Sequence, residues 1–340
     1  VTTQAIWSGV ADSAPRICGS TTLATVIVIA YSIVAPETVA TGELGMTETG
    51  TTTVFRDYDQ AALDREYDNR SKVDGALAFL QACSDDSAAA RAELGGEHNV
   101  AFGPSAEETL DIFPPGTAGG DPAPVQVFYH GGYWRALSKD DFSFVARAMA
   151  PKGAVTVVVN YALVPAVSMD ELVRQCRAAL AWCWKHAGDF GGDRDRICIS
   201  GHSAGGHITA MMLATDWTAF DPDLPAAPIR GAYALSGLYD LEPIRLCFLN
   251  EDLGLTAEAA ARLSPVRLSP GSRPPLALAV GGLEGPEYLR QSAALMRAWG
   301  GSGLDLSVHV LPDVHHFSIV AQLNDPASPL ARLMHAQMGL

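Results

Sequence analysis

From about residue 123 onwards the chain alternates short apolar runs with longer stretches in which apolar residues recur every three or four positions. The short runs are Val125–Tyr129, Val155–Asn160, Ile197–Ser200, Ile229–Leu235, Leu276–Val280 and Leu306–Val310. Continuous apolar character of this kind predicts strands covered on both faces. The intervening stretches predict helices near Asp140–Ala150, Met169–His186, Ala204–Ala214, Glu287–Trp299 and Pro329–Met338. Strands and helices in alternation predict an α/β fold with a mostly parallel central sheet and helices on both faces. The segment Leu238–Pro270 interrupts the alternation and reads as an inserted helical excursion. Upstream, Val73, Leu77, Leu80 and Cys83 recur at helical spacing within Tyr58–Leu94, where two or three short helices are expected, with Ser84 and Ser87 as candidate caps. Pro114-Pro115-Gly116, Gly119-Gly120 and two further prolines mark the loop between this segment and the alternating region.

Residues 1–45 have a different texture. They carry only Asp12, Arg16, Glu37 and Glu43 as charges and one apolar run of thirteen residues, Leu23–Ala35. A membrane-spanning helix needs about 20 apolar residues, whereas a signal-peptide core needs roughly 7 to 15. The flanks lack the basic cluster of a signal, so Met46 is taken as the natural start and an exported form as the alternative. Within this stretch Val26–Ile29 is β-prone and uncharged.

Composition narrows the partners. Among 340 residues, acidic side chains outnumber basic ones and the formal net charge is −15, which repels phosphate backbones and argues against nucleic acid. The six cysteines, at 18, 83, 176, 183, 198 and 247, include no C-x-x-C pair. They read as idle thiols in a reducing compartment, which points to the cytoplasm. No metal-ligand spacing, G-x-G-x-x-G or Walker-type loop appears, so no metal or other cofactor is expected.

The chemistry converges on a serine. Gly201-His202-Ser203-Ala204-Gly205 follows one predicted strand and opens a helix, the context in which G-x-S-x-G becomes a nucleophile elbow. His130-Gly131-Gly132 ends another strand, where backbone N–H groups can face a developing oxyanion together with the N–H of Ala204. Two glycines alone are usually an ordinary turn; here their placement matches a need. An acid and a base should follow the serine, and Glu284 and His316 both fall on loops after strands. Glu287 is the rival acid, although a position at a helix start also suits capping. His315 is the rival base, and Asp240 and Asp313 are weaker candidates for the acid. His202 and His207 read as packing or hydrogen-bonding residues beside the elbow, with His202 also placed among substrate contacts. Tyr133 and Trp134 follow the glycines directly and are expected to wall the acyl pocket, with core packing as the alternative.

These blocks resemble the α/β-hydrolase superfamily, and within it the branch of kynurenine formamidase (arylformamidase) and related small esterases. The likeness runs from about Tyr58 to the C-terminus. It includes Leu63–Arg70, His130–Arg135, Gly201–His207, Ser236–Asp240, Val280–Glu284 with Glu287–Ser292, and His316-Phe317. It departs from the branch in having Glu rather than Asp as the acid, and His315 where Asn is common before the catalytic histidine. The resemblance implies an α/β-hydrolase fold with a small helical cap, and a Ser203–His316–Glu284 triad with an oxyanion hole of Gly131, Gly132 and Ala204. It also implies a small-molecule substrate without cofactor or stable membrane span. The expected domains are an extension at 1–45 outside the fold, an N-terminal helical cap segment at 46–100, and a catalytic domain at 101–340 with its excursion near 238–270. The expected activity is hydrolysis of small-acyl esters, with aryl esters preferred. The alternatives are an arylformamidase acting on N-formylkynurenine-like substrates and, remotely, a silent hydrolase-fold binder.

Overall fold

The structure, a computed structural model, describes residues 27–28, 52–116 and 120–340. The expectations placed on residues 1–45, including the start at Met46, lie outside the described residues apart from Ile27–Val28. Among the described residues nine strands form one sheet: β1 (Ile27–Val28), β2 (Glu97–Ala101), β3 (Thr109–Phe113), β4 (Ala123–Tyr129), β5 (Val155–Val159), β6 (Gly192–His202), β7 (Gly231–Leu235), β8 (Leu276–Gly281) and β9 (Leu306–Leu311). Their spatial order is β1-β9-β8-β7-β6-β4-β5-β3-β2. Strands β4 to β9 pair in parallel, while β3 runs antiparallel to β5 and to β2, and β1 antiparallel to β9.

The seven main helices are α1 (Gln60–Tyr67), α2 (Ala76–Leu94), α3 (Met169–His186), α4 (Ala204–Leu213), α5 (Pro286–Trp299), α6 (His316–Ala321) and α7 (Pro329–Met338). Because strand side chains alternate between faces, each central strand feeds two cores. Val125, Val127 and Tyr129 of β4 face one core, packed with Leu172, Cys176 and Leu180 of α3, Ile208 and Met212 of α4, and Leu295 and Trp299 of α5. Phe128, Val158, Cys198 and Tyr233 face the other, packed with Phe142–Met149, with Ile319 of α6 and with Leu330 and Met334 of α7. The six expected parallel strands are all present within a few residues of their predicted limits.

Two local expectations are corrected. Ser84 and Ser87 cap nothing: they lie inside α2, a single helix of 19 residues, and the buried Ser87 hydroxyl accepts the Phe144 N–H. Asp140–Ala150 is a series of tight 3₁₀ turns ending in the short helix Ala146–Met149, rather than one regular helix. The excursion after β7 folds as three short helices at 242–246, 250–253 and 257–262. It is tied to α1 by two hydrogen bonds, Gln60 Nε2 to the Leu246 carbonyl (2.9 Å) and the Phe248 N–H to Asp64 (2.8 Å). Among the described residues no helix is long and apolar enough to cross a membrane.

Candidate active site

Parallel strands present all their carboxyl ends at one rim of the sheet, so the loops leaving them gather there. At this rim lie His130–Gly132 after β4, Ser203 after β6, Ser236 after β7, Glu284 after β8 and His316 after β9. The turn at Ser203 is sharp because α4 begins one residue after β6 ends. Its backbone sits at φ 58° and ψ −116°, a strained conformation for a residue with a side chain. The flanking glycines permit it: a Cβ on Gly205 would lie 1.9 Å from the Tyr129 carbonyl oxygen, and one on Gly201 2.2 Å from the Gly205 carbonyl oxygen.

The three expected residues meet in one hydrogen-bonded chain. His316 Nε2 is 3.1 Å from Ser203 Oγ, and His316 Nδ1 is 2.6 Å from Glu284 Oε2. The second carboxylate oxygen, Oε1, accepts the Ser236 hydroxyl and the Gly281 N–H, both at 2.6 Å. Glu284 thus accepts on both oxygens, and the histidine tautomer that suits it carries a proton on Nδ1 and a lone pair on Nε2. All three residues are buried. Gly131 lies against the elbow, where a Cβ added to it would sit 3.3 Å from Ser203 Cβ. Gly132, at φ +112°, tolerates no side chain, since a Cβ would meet the Ala136 carbonyl oxygen at 1.9 Å. Among the described residues, the N–H groups of Gly131, Gly132 and Ala204 donate no turn or loop hydrogen bond within the protein.

The rivals have other occupations. Glu287 is buried and paired with Arg290 (2.8 Å), and it accepts the Tyr67 hydroxyl (2.7 Å). Asp240 pairs with the same arginine. His315 is the N-cap of α6: its Nδ1 accepts the N–H groups of Phe317 and Ser318, both at 3.2 Å. An imidazole nitrogen therefore does here what an Asn carboxamide oxygen does at a helix N-terminus. Its pKa is lowered, chiefly by burial, which favours the neutral ring that capping requires.

A cavity of about 250 Å³ opens above Ser203, with Leu80, Leu137, Phe142, Phe248, Phe317 and Val320 among its apolar walls. Tyr133 and His202 also line it. Trp134 does not, which corrects the expectation that it walls the pocket. It is fully buried in the core, with its indole N–H donating to His207 Nδ1 (3.2 Å). The reason is backbone geometry: Tyr133 and Trp134 both take positive φ, 50° and 59°, and the resulting turn sends the two rings to different places. His207 completes its own bonding by donating from Nε2 to the Leu263 carbonyl (2.8 Å). His202 donates from Nε2 to the His316 carbonyl (2.8 Å), and burial pushes its pKa well below the usual imidazole value. His202 thus fixes the backbone that carries the histidine of the chain. Unforeseen contributors are Tyr67, at the end of α1, and Asn69 and Arg70 in the turn after it, which line the cavity, and Tyr288, whose ring centroid is 4.7 Å from that of His316. The Leu63–Arg70 block was the signal pointing to the first three, and the Glu287–Ser292 block the signal pointing to Tyr288. Among the described residues no cluster of metal-ligating side chains is gathered.

Comparisons with known proteins identify the family. The BD-FAE family model matches residues 110–230. Kynurenine formamidase of Danio rerio is 35% identical over 71% of this chain and 81% of its own, and that of Salmo salar is 32% identical over 84% of this chain and 98% of its own. The crystal structure of a candidate thioesterase from Silicibacter sp. TM1040 superposes with a TM-score of 0.71 at 31% identity, covering 79% of this chain and 97% of that one. The chain belongs to the α/β-hydrolase family, in the branch of these formamidases. This α/β-hydrolase is an enzyme, and the parallel strands of its sheet follow the order of that fold.

Proposed function

We propose that this hydrolase cleaves small-acyl aryl esters through a covalent acyl-enzyme on Ser203. The observation that carries the reading is the unbroken chain from Glu284 through His316 to Ser203 at the floor of a cavity of about 250 Å³. Ser203 Oγ attacks the acyl carbonyl while His316 Nε2 takes its proton, and Glu284 keeps Nδ1–H in place and offsets the imidazolium charge. The N–H groups of Gly131, Gly132 and Ala204 receive the oxyanion. His316 then protonates the departing aryloxide, and water, activated by the same histidine, releases the acid. The cavity is small beside the roughly 300–1,000 Å³ of drug-sized sites, which suits a compact acyl group on one ring. The turn after α1 and the 242–262 excursion act as its cover, so among the described residues the 58–94 segment serves the catalytic domain as a cap.

A second reading, hydrolysis of an aryl formamide, is favoured by the two kynurenine formamidases among the relatives. It uses the same groups, with the aryl amine as leaving group and formate as the acyl product. We assign the enzyme to the cytoplasm, a reading supported by the five unpaired cysteines among the described residues. The test is kcat/KM on p-nitrophenyl acetate and N-formylkynurenine side by side. The ester should be turned over and the activity lost in Ser203→Ala; a clear preference for the formamide selects the second reading, and activity in neither assay rejects both.

A further inference from the structure

The loop after β4 takes a shape that its own side chains resist. Gly132, Tyr133 and Trp134 have successive positive φ values of 112°, 50° and 59°, and residues with side chains hold such angles only where their surroundings fix them. Trp134 is fixed from the core, through its indole N–H to His207 (3.2 Å) and through its carbonyl, which accepts the Val164 N–H (2.9 Å). Tyr133 is fixed from the opposite side, by the covering segment. Its hydroxyl donates to the Tyr67 carbonyl (2.8 Å) and accepts from Nδ2 of the buried Asn69 (2.9 Å). Asn69 Nδ2 gives its second hydrogen to the Tyr288 hydroxyl (2.6 Å), so the 2.7 Å contact between the two phenols has Tyr288 as its donor. The Tyr133 oxygen therefore gives one hydrogen bond and accepts two, which is its full capacity.

We infer that Tyr133 is the positioning residue of the oxyanion hole: its anchored hydroxyl holds the loop angles that turn the Gly131 and Gly132 N–H groups towards the oxyanion, and Asn69 and the Tyr67 carbonyl are the anchor. The inference rests on Ser203 as nucleophile and on these N–H groups as the hole. When Ser203 Oγ adds to the carbonyl carbon, its proton passes to His316 Nε2 and the C=O electron pair moves to the oxygen, which only then needs its donors at full strength. Donors slightly out of place cost little in the ground state and much at this point. The loss should therefore appear in kcat and spare KM.

The test compares wild type, Tyr133→Phe, Asn69→Ala, Tyr288→Phe and Tyr233→Phe in steady-state hydrolysis of p-nitrophenyl acetate, in inhibition by trifluoromethyl phenyl ketone, and in melting temperature. The ketone takes Ser203 Oγ on its carbonyl carbon and keeps its oxygen as an oxyanion, so its Ki reads the hole directly. Tyr133→Phe keeps the ring and removes every bond of the hydroxyl. Its kcat should fall about 10- to 100-fold, short of the roughly 10²–10³ lost with a whole oxyanion donor, while KM stays within about threefold and Ki rises in step with the loss. Asn69→Ala and Tyr288→Phe each take one bond from the Tyr133 hydroxyl and should lose less. Tyr233→Phe makes the same deletion on β7, where the hydroxyl donates to the Met334 carbonyl of α7 (3.1 Å), and should keep wild-type kcat and Ki. A folded Tyr133→Phe with kcat within about threefold of wild type, a fall in kcat with Ki unchanged, or an equal loss in Tyr233→Phe overturns the inference. If Tyr133→Phe does not fold, Asn69→Ala decides: a raised Ki with KM unchanged supports the inference, and an unchanged Ki overturns it. Ser203→Ala, run in parallel, separates the two readings. If it is inactive while Tyr133→Phe is unimpaired, the nucleophile stands and the inference falls; if it is active, both fall.

Discussion

Replacing Glu284 by Gln tests the acid with almost no change of shape. In the native site Oε2 faces His316 Nδ1 at 2.6 Å, and Oε1 accepts two donors, the Ser236 hydroxyl and the Gly281 N–H, at 2.6 Å each. A carboxamide has one acceptor oxygen and one donor nitrogen, so it meets only one side of this demand. With its oxygen towards Gly281, the NH₂ faces His316 Nδ1 and forces the tautomer that carries its proton on Nε2, where no proton can be taken from Ser203. With the amide turned over, two N–H groups confront each other at Gly281, whose backbone donor cannot rotate away. The first arrangement avoids that clash and is the one expected. It predicts a loss of roughly 10² to 10⁴ in kcat, the range seen when a triad carboxylate is made an amide or one charge-stabilising group is removed. Glu287→Gln removes a charge that is 1% exposed and paired with Arg290, which keeps Asp240 as a partner, so its effect should fall on stability and stay below the about 3–5 kcal/mol of a buried pair broken outright. The assay is steady-state kinetics on p-nitrophenyl acetate for both variants, alongside urea unfolding. Equal losses of kcat in folded Glu284→Gln and Glu287→Gln, or the larger loss in Glu287→Gln, would refute the assignment.

Trp134→Ala should destabilise the fold by about 3–5 kcal/mol without moving the acyl-chain optimum, because the indole is in the core. Phe248→Ala, which opens a cavity wall, should raise kcat/KM on butyrate relative to acetate by up to about fourfold per added methylene. A p-nitrophenyl ester series on both variants checks the pair, and a shifted optimum in Trp134→Ala would contradict the placement. His315→Asn should keep the α6 cap and melt near wild type, whereas His315→Ala should lose about 1 kcal/mol. Equal melting of the two would count against the capping role. Burial lowers His130 and His207 to a pKa of about 4, against about 6.5 in the unfolded chain. The unfolded state then binds protons that the folded state refuses. Each ring contributes about 3 kcal/mol of stability above pH 6.5, lost progressively as pH falls towards about 4. Urea midpoints at about pH 7 and about pH 5 should therefore drop markedly, and unchanged midpoints would rule the argument out.

What the sequence disclosed, and what it hid, follow from the kind of signal each feature leaves. Strands β4 to β9 are legible because burial on two faces demands unbroken apolar runs, and Ser203, Glu284 and His316 because each must leave the carboxyl end of such a strand. The β2–β3 hairpin is not, since four of the five residues of β2 are exposed and Asn99 takes φ 57° within it, so the strand reads as a polar loop. In α2, Leu80 and Cys83 line the cavity and Leu77 is 69% exposed, so its apolar spacing marks the cover of the site. The fate of Trp134 depended on positive backbone angles at two successive non-glycine residues, for which side-chain identity carries almost no forewarning. Asn69 and Tyr288 are joined across more than two hundred positions of chain, a pairing that no local pattern encodes.

The central claim is that Ser203 carries the acyl group, and the most direct measurement is to trap it. The enzyme is incubated with a p-nitrophenyl phosphonate, digested, and its peptides mapped by mass spectrometry, with Ser203→Ala treated identically. The account predicts a single adduct on Ser203, loss of activity in step with labelling, and neither adduct nor hydrolysis in Ser203→Ala. A stoichiometric adduct on another residue, or more than a few per cent of wild-type activity in well-folded Ser203→Ala, would contradict it.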